Sequence, residues 1–417
     1  MRLTKLEETL VEELARLEII DCHEHLGPER SRVAAQVDVF TLFAHYTRHD
    51  LAVAGMSEAQ YQSLYNRDIP LARRWAVFEP FWEQIRWASY ARAALLAAER
   101  FYGAPDINAD TAEALSEAMQ KANTPGLYQR VLGDACNIRT SLTQCGSTDL
   151  GGTPLLTPVM PLAYEMETWQ ALARPIASSG CPAFDPAAAI RTLDDSLDAI
   201  RRYVARVKAE GAVGLKMMSN PYKEPRRAEA LGAFESLRSG SAARLPVPNP
   251  LRDYLVDQTI ACAAEQDLVI CVHTGYWGDF RTLDPLHMIP ILQRHPAARF
   301  DIYHVGYPWV REALMLGKGF PNVWLNFCWT HIISQRFATD ALDEAIDLIP
   351  MNKLLAFGGD YALPVEKVYG HLVMAREDVA RVLARRIERG QMAEAQALAL
   401  AAKWFVENPK ALYRLKL

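Results

Sequence analysis

Residues 251–275 read LRDYLVDQTIACAAEQDLVICVHTG. The first sixteen carry a helical pattern, and the rest form a β-rich run that ends at His273 and a glycine. A helix feeding directly into such a run is half of a strand–helix–strand unit. The alternation repeats in both directions. Upstream lie LEIIDCH (17–23), ACNIRTSLT (135–143), LLTPVMPL (155–162) and, after the helical LDDSLDAIRRYVARVKAEG (193–211), GAVGLKMM (211–218). Downstream lie ARFDIYHVG (298–306), NVWLNFCW (322–329) and KLLAFGGD (353–360), separated by helical stretches at 284–296, 310–321 and 338–350. Eight β-rich runs alternating with helices predict an α/β chain folded as a closed (β/α)8 TIM-like barrel.

Two segments exceed the plain repeat. Residues 27–134 separate the first strand from the second and are helical in pattern and rich in aromatics, which predicts a helical insertion after strand 1. Residues 365–417 predict two long amphipathic helices packed on the outside of the barrel. The whole of 1–417 is expected to form one barrel domain with these additions.

The chain has 417 residues, half of them hydrophobic and 23% charged, with a net charge of −5. That balance argues against nucleic acid as a partner, and no apolar run has the length of a membrane span. The N-terminal MRLTKLEETLVEELARLEI reads as an amphipathic helix and not a signal peptide. Seven cysteines, at 22, 136, 145, 181, 262, 271 and 328, form no CxxC pair; a reducing, cytoplasmic setting is expected. A homo-oligomer is compatible with the exposed faces of the tail helices.

Side chains alternate along a strand. Strict alternation puts Asp21, His23 and His25 on the inner face of strand 1, with Ile20, Cys22 and Glu24 turned away. It puts Gly214 and Lys216 inside on strand 4, with Val213, Leu215 and Met217 outside. On strand 5 it puts Cys271 and His273 inside; on strand 8 Ala356, Gly358 and Asp360 face in, with Leu355 and Phe357 out. Polar residues thus recur at the C-terminal ends of the strands, where barrel enzymes build their sites.

The residue types suit a divalent metal ion. His23, His25 and His273 offer imidazole nitrogens and Asp360 a carboxylate oxygen, a set that fits zinc and also manganese or iron. Such an ion lowers the pKa of a coordinated water to about 7, and Asp360 is then placed as general base. His304, at the end of strand 6, is a candidate for binding substrate or polarising its carbonyl. Lys216 is either carboxylated and shared between two metals or a plain ammonium for a substrate carboxylate. Trp277, Arg281, Trp309, Trp329 and Tyr361, on the loops after strands 5 to 8, are candidates for the substrate pocket. Tyr46, Arg48 and His49 of the insertion are candidates for a lid.

The set of motifs, HEH at 23–25, His273 in VHTG, His304 in YHVGYPW and Asp360 in FGGDY, resembles the amidohydrolase superfamily, most closely its amidohydrolase-related (amidohydrolase 2) branch. The helical insertion and tail are also similar to those of uronate isomerases. The resemblance implies metal ligands at His23, His25 and Asp360, and His273 matches the strand-5 ligand of hydrolase and decarboxylase members. DYALPVEKVYG, at 360–370, lacks the arginines expected of an isomerase. The expected activity is therefore metal-dependent hydrolysis of an amide, ester or lactone in a small carboxylated or polyhydroxylated molecule. Decarboxylation and uronate-type aldose–ketose isomerisation are the alternatives.

Overall fold

The computed structural model describes residues 2–162, 167–173 and 190–417; Cys181 lies outside them. Eight strands run parallel in sequence order: β1 Ile19–Glu24, β2 Ile138–Thr143, β3 Leu156–Pro161, β4 Gly214–Met218, β5 Val269–His273, β6 Arg299–Tyr303, β7 Val323–Asn326 and β8 Leu354–Leu355. All eight match the runs read from the sequence. The seam between the first and last is closed by backbone hydrogen bonds from the stretch after β8. Cys22 N–H donates to Phe357 O (3.0 Å), Asp360 N–H to His23 O (2.8 Å) and His25 N–H to Tyr361 O (2.9 Å). The FGGD sequence permits that approach: a Cβ on Gly359 would lie 2.0 Å from Glu24 Oε1.

Alternation holds where the strands are regular and fails where they are not. Leu215, Met217, Ile270 and Val272 pack in the outer core against the helices, and Cys271 in the inner cluster, as expected. The register of β1 slips between Ile19 and Ile20 and again between Asp21 and Glu24. Ile20 and Cys22 consequently pack inside the barrel, and Glu24 turns to the β8 side, where its carboxylate accepts from Tyr361 N–H (2.6 Å). β8 spans two residues, with Leu355 inside and Ala356 outside, the reverse of the expectation. Val213 also packs against the inner cluster.

The tail differs from a pair of outer helices. Glu366–Glu388 is a single long helix, followed by Glu394–Ala402, a π-helical turn at Lys403–Glu407 and a short helix, Asn408–Tyr413. The chain end goes into the barrel floor: Leu412, Tyr413 and Leu415 join the inner cluster, and Tyr413 Oη donates to Asp301 Oδ2 at 2.5 Å.

The stretch between β1 and β2 contains helices that enclose a second core around Phe40, Phe43, Trp75, Phe78 and Trp82. It docks on Glu366–Glu388 through helix Ser89–Tyr102, with Tyr102 Oη and Arg32 both donating to Glu366 Oε1 at 2.7 Å and Arg92 paired with Glu377 at 2.8 Å. Gly370 makes that docking close, because a Cβ there would stand 2.2 Å from Ala93 O. Gly370→Ala is therefore expected to push the two helices apart and cost about 1–3 kcal/mol; a thermal melt unchanged from the parent would refute this.

Candidate metal centre and cavity

β1 and the turn after β8 bring His23, His25 and Asp360 together, with one ligand atom of each within 4.8 Å of the others. Asp360 Oδ1 lies 3.1 Å from His23 Nε2 and 3.2 Å from His25 Nε2. The Asp360 side chain reaches this point because its backbone adopts φ +64°, a left-handed conformation that aspartate tolerates better than most residues. His45, His304 and Trp329, all neighbours of the site, also have positive φ. Strained backbone of this kind gathers at functional sites and is held there by surrounding structure.

The hydrogen-bond partners fix which nitrogens carry lone pairs. His25 Nδ1 faces the carbonyl of Gln144 at 2.9 Å and must donate to it. In neutral His25, Nε2 is then an acceptor, facing the Asp360 carboxylate, also an acceptor. A cation between them satisfies both. His23 Nε2 faces Asp360 and, at 3.3 Å, the Lys216 ammonium. Burial pushes the His23 imidazole well below its ordinary pKa and Lys216 adds to this, so His23 is a neutral nitrogen donor. Burial works to raise Asp360, but the neighbouring His23 and His25 outweigh it and hold the carboxyl well below the usual range. Two imidazoles, one of them oriented by a carbonyl behind it, and an ionised carboxylate are a donor set that fits a divalent metal ion.

His273 and His304 form a second layer. His304 Nδ1 donates to Cys328 O (3.1 Å), so its Nε2 accepts, and His273 Nδ1 donates to it at 3.0 Å. His273 Nε2 is left with a lone pair and no partner among the described residues. His304 is 1% exposed and does not line the cavity. With both nitrogens engaged, it is placed to orient His273. Its Nε2 stands 3.9 Å from Asp360 Oδ2. Lys216 is buried, with its ammonium over the Tyr303 ring at 4.1 Å from the centroid. Burial lowers its pKa, and Asp360 opposes the shift.

A cavity of about 430 Å³ opens over this cluster, and His25, Lys216, His273, Trp277 and Asp360 are among its lining residues. The insertion contributes His45 and Tyr46 to the lining, and Tyr46 Oη donates to Asp360 Oδ2. His49 stacks on Trp277 at 6.0 Å, while Arg48 turns away to pair with Glu58. Of the other aromatic candidates, Trp329 and Tyr361 are buried behind the site. Trp329 Nε1 donates to Tyr90 Oη (3.0 Å) and its ring meets His304 at 5.5 Å; Tyr361 packs against Tyr46 at 6.4 Å. Trp309 contacts Phe280 at 5.7 Å and does not line the cavity. Arg281 is also absent from the lining: its exposed guanidinium is captured in a bidentate pair by Asp279, at 2.8 and 2.7 Å. His45 had no signal in the sequence, because it lies in the insertion and on no strand; Gln144 directly follows Thr143 at the C-terminal end of β2, a position the end-of-strand rule could have found.

A model of the amidohydrolase family matches residues 159–415, more than half of the chain. Solved structures align over nearly its whole length. They include uronate isomerase from Thermotoga maritima (17% identity, 99% of this chain and 98% of that one, TM-score 0.79) and glucuronate isomerase from Caulobacter crescentus (17%, 99% and 94%, 0.75). A "putative metal-dependent hydrolase" from Lactobacillus casei aligns with 20% identity over 97% of each chain, TM-score 0.64. These identities show a shared fold. Protein fluG of Emericella nidulans is 27% identical over 175 residues, 40% of this chain, and the match spans 20% of that protein's own length.

Proposed function

The chain belongs to the amidohydrolase family, and from that premise we propose that it is a metal-dependent enzyme hydrolysing an amide, ester or lactone of a small molecule. The observation that carries the reading is the ionised Asp360 carboxylate, shared between two imidazole nitrogens at 3.1 and 3.2 Å and lining the cavity. In this reading His23, His25 and Asp360 hold the ion, and His273 adds its outward lone pair. A divalent ion there supplies Lewis acidity toward the acyl oxygen and makes water a stronger acid.

The chain's own groups do the rest. Asp360 takes the proton of the attacking water and returns it to the leaving group. Tyr46 keeps Asp360 oriented by donating to its second oxygen. Lys216 offers positive charge to a substrate carboxylate or acyl oxygen, His304 fixes the tautomer of His273, and Trp277 walls the cavity mouth. Among the described residues no helix is long and apolar enough to cross a membrane. The test is a screen of amides, esters and lactones with the metal-loaded protein, before and after chelation. Chelator-sensitive turnover of at least one class is expected; activity that survives complete metal removal would refute the reading.

A second reading, aldose–ketose isomerisation, is favoured by one observation. The Asp360 carboxylate lines the cavity, held in place by Tyr46, as a base of the kind that carries a proton between adjacent carbons. Exchange of the substrate C2 proton with solvent separates the two, since hydrolysis predicts none.

A further inference from the structure

The cavity has two chemically different sides. On the β8, β1 and insertion side stand Asp360, His25 and Tyr46, with the Lys216 ammonium reaching across from β4 to within 3.3 Å of His23 Nε2. On the opposite side Pro161 closes β3, Met218 closes β4 and Trp277 lies on the loop after β5, whose last residue, His273, is the polar group on that side. Lys216 is the one lysine or arginine among the described lining residues.

The polar groups are largely committed to one another. The Tyr46 hydroxyl is spent on Asp360, His25 Nδ1 on the Gln144 carbonyl and His273 Nδ1 on His304. With Lys216 and His273 Nε2 assigned to the head group and the metal, the Gln144 amide and the His45 ring are left among the described lining residues to meet further hydroxyls. A sugar acid brings a hydroxyl on nearly every carbon. Each one stripped of water without a new partner weakens binding. An apolar body has the opposite balance: it loses nothing polar and gains contact with methionine, proline and indole surfaces.

We propose that this cavity takes a compound with one anionic or acyl head, placed at Lys216 and the metal ligands, and an unhydroxylated apolar body of aromatic-ring size against Pro161, Met218 and Trp277. Polyhydroxylated molecules are disfavoured. The inference rests on the site reading given above, but it concerns what binds and not which bond is broken. Trp277 suits the ring end of such a ligand. Trp277 is 46% exposed and its indole already stacks on His49 with an interplanar angle of 26°, a flat platform on which a second ring can slide.

The experiment is equilibrium binding of three probes that carry no amide, ester or lactone bond, phenylacetate, acetate and D-glucuronate, to the metal-loaded 417-residue chain at one salt concentration. Phenylacetate is expected to bind about tenfold or more tighter than acetate, from burial of its ring, and D-glucuronate no tighter than acetate. Met218→Ser and Trp277→Ala should each shrink the phenylacetate-to-acetate ratio at least about threefold, while Lys216→Met should weaken both probes together. Trp277 lies at the exposed rim, so Trp277→Ala keeps the test valid if Met218→Ser fails to fold, and thermal melts identify that case. D-Glucuronate binding tighter than phenylacetate, or a ratio unmoved in the folded variants, overturns the proposal. Its fate is separable from that of the hydrolase reading. Preference for phenylacetate without turnover of any arylacetyl ester or amide would sink hydrolysis and leave this standing. Hydrolysis of sugar-acid lactones but not of arylacetyl esters would do the reverse.

Discussion

Asp360→Asn is expected to lower kcat/KM about 10³-fold while metal content and thermal stability stay near those of the parent. The carboxylate has two tasks that the substitution separates. As a ligand it contributes one oxygen toward His23 and His25, and the amide oxygen of asparagine keeps an oxygen at that point. As a base it must accept a proton, which an amide does not do at neutral pH. The backbone does not confound the comparison, since asparagine also tolerates φ near +64°. Tyr46, which donates to Asp360 Oδ2, can rotate its hydroxyl to accept from the new amide instead. The measurements are steady-state kinetics on whichever substrate the screen yields, with metal analysis and a melt of the same sample. A variant that keeps its metal and more than about a tenth of its activity would remove Asp360 from the role of base.

The barrel was legible in the sequence because each of its eight strands is a β-rich run next to a patterned helix. The pairing of His23 and His25 with Asp360 followed from placing them at the C-terminal ends of β1 and β8. The parity argument behind that placement held on β4 and β5, which are regular, and failed on β1 and β8. A register slip in β1 turned Cys22 inward, and two-residue β8 left Asp360 to be aimed by a positive φ, not by alternation. Neither a bulge nor a left-handed residue announces itself in a single sequence. Arg281 was misplaced because a carboxylate two residues away captures it, a local competition that outweighs a distant pocket. Trp329 and Tyr361 do belong to the neighbourhood but serve as buried packing behind His304 and Tyr46. Tyr46 reached the site through the tertiary docking of the insertion on Glu366–Glu388, and no spacing in 38–50 encodes where that docking puts it. The sequence of the tail predicts outer helices because its amphipathic pattern looks alike whether it ends on the barrel wall or, as Leu412 and Tyr413 do, in the floor.

His25→Ala is expected to weaken metal binding by more than about 100-fold and to abolish turnover at ordinary metal concentrations. His25 is the better choice of the two histidines because its side chain is 33% exposed, whereas that of His23 is 2% exposed. Truncation at 25 leaves a space that water can fill. Truncation at 23 leaves a dry hole beside the Lys216 ammonium, which would then be drawn onto Asp360 and close the site by an ion pair. The two variants thus lose metal for different reasons, and added metal distinguishes them. A large excess should restore part of the activity of His25→Ala, whose two remaining first-choice ligands are still in place, and none of the activity of His23→Ala. The parent stripped by a chelator should recover fully when a divalent ion is returned. Competition with a colorimetric chelator measures the affinities, and turnover measured on the same preparations links them to catalysis. Undiminished metal affinity in His25→Ala would show that the ion sits elsewhere. The lone pair of His273 Nε2, which faces no partner among the described residues, would then become the first ligand to replace.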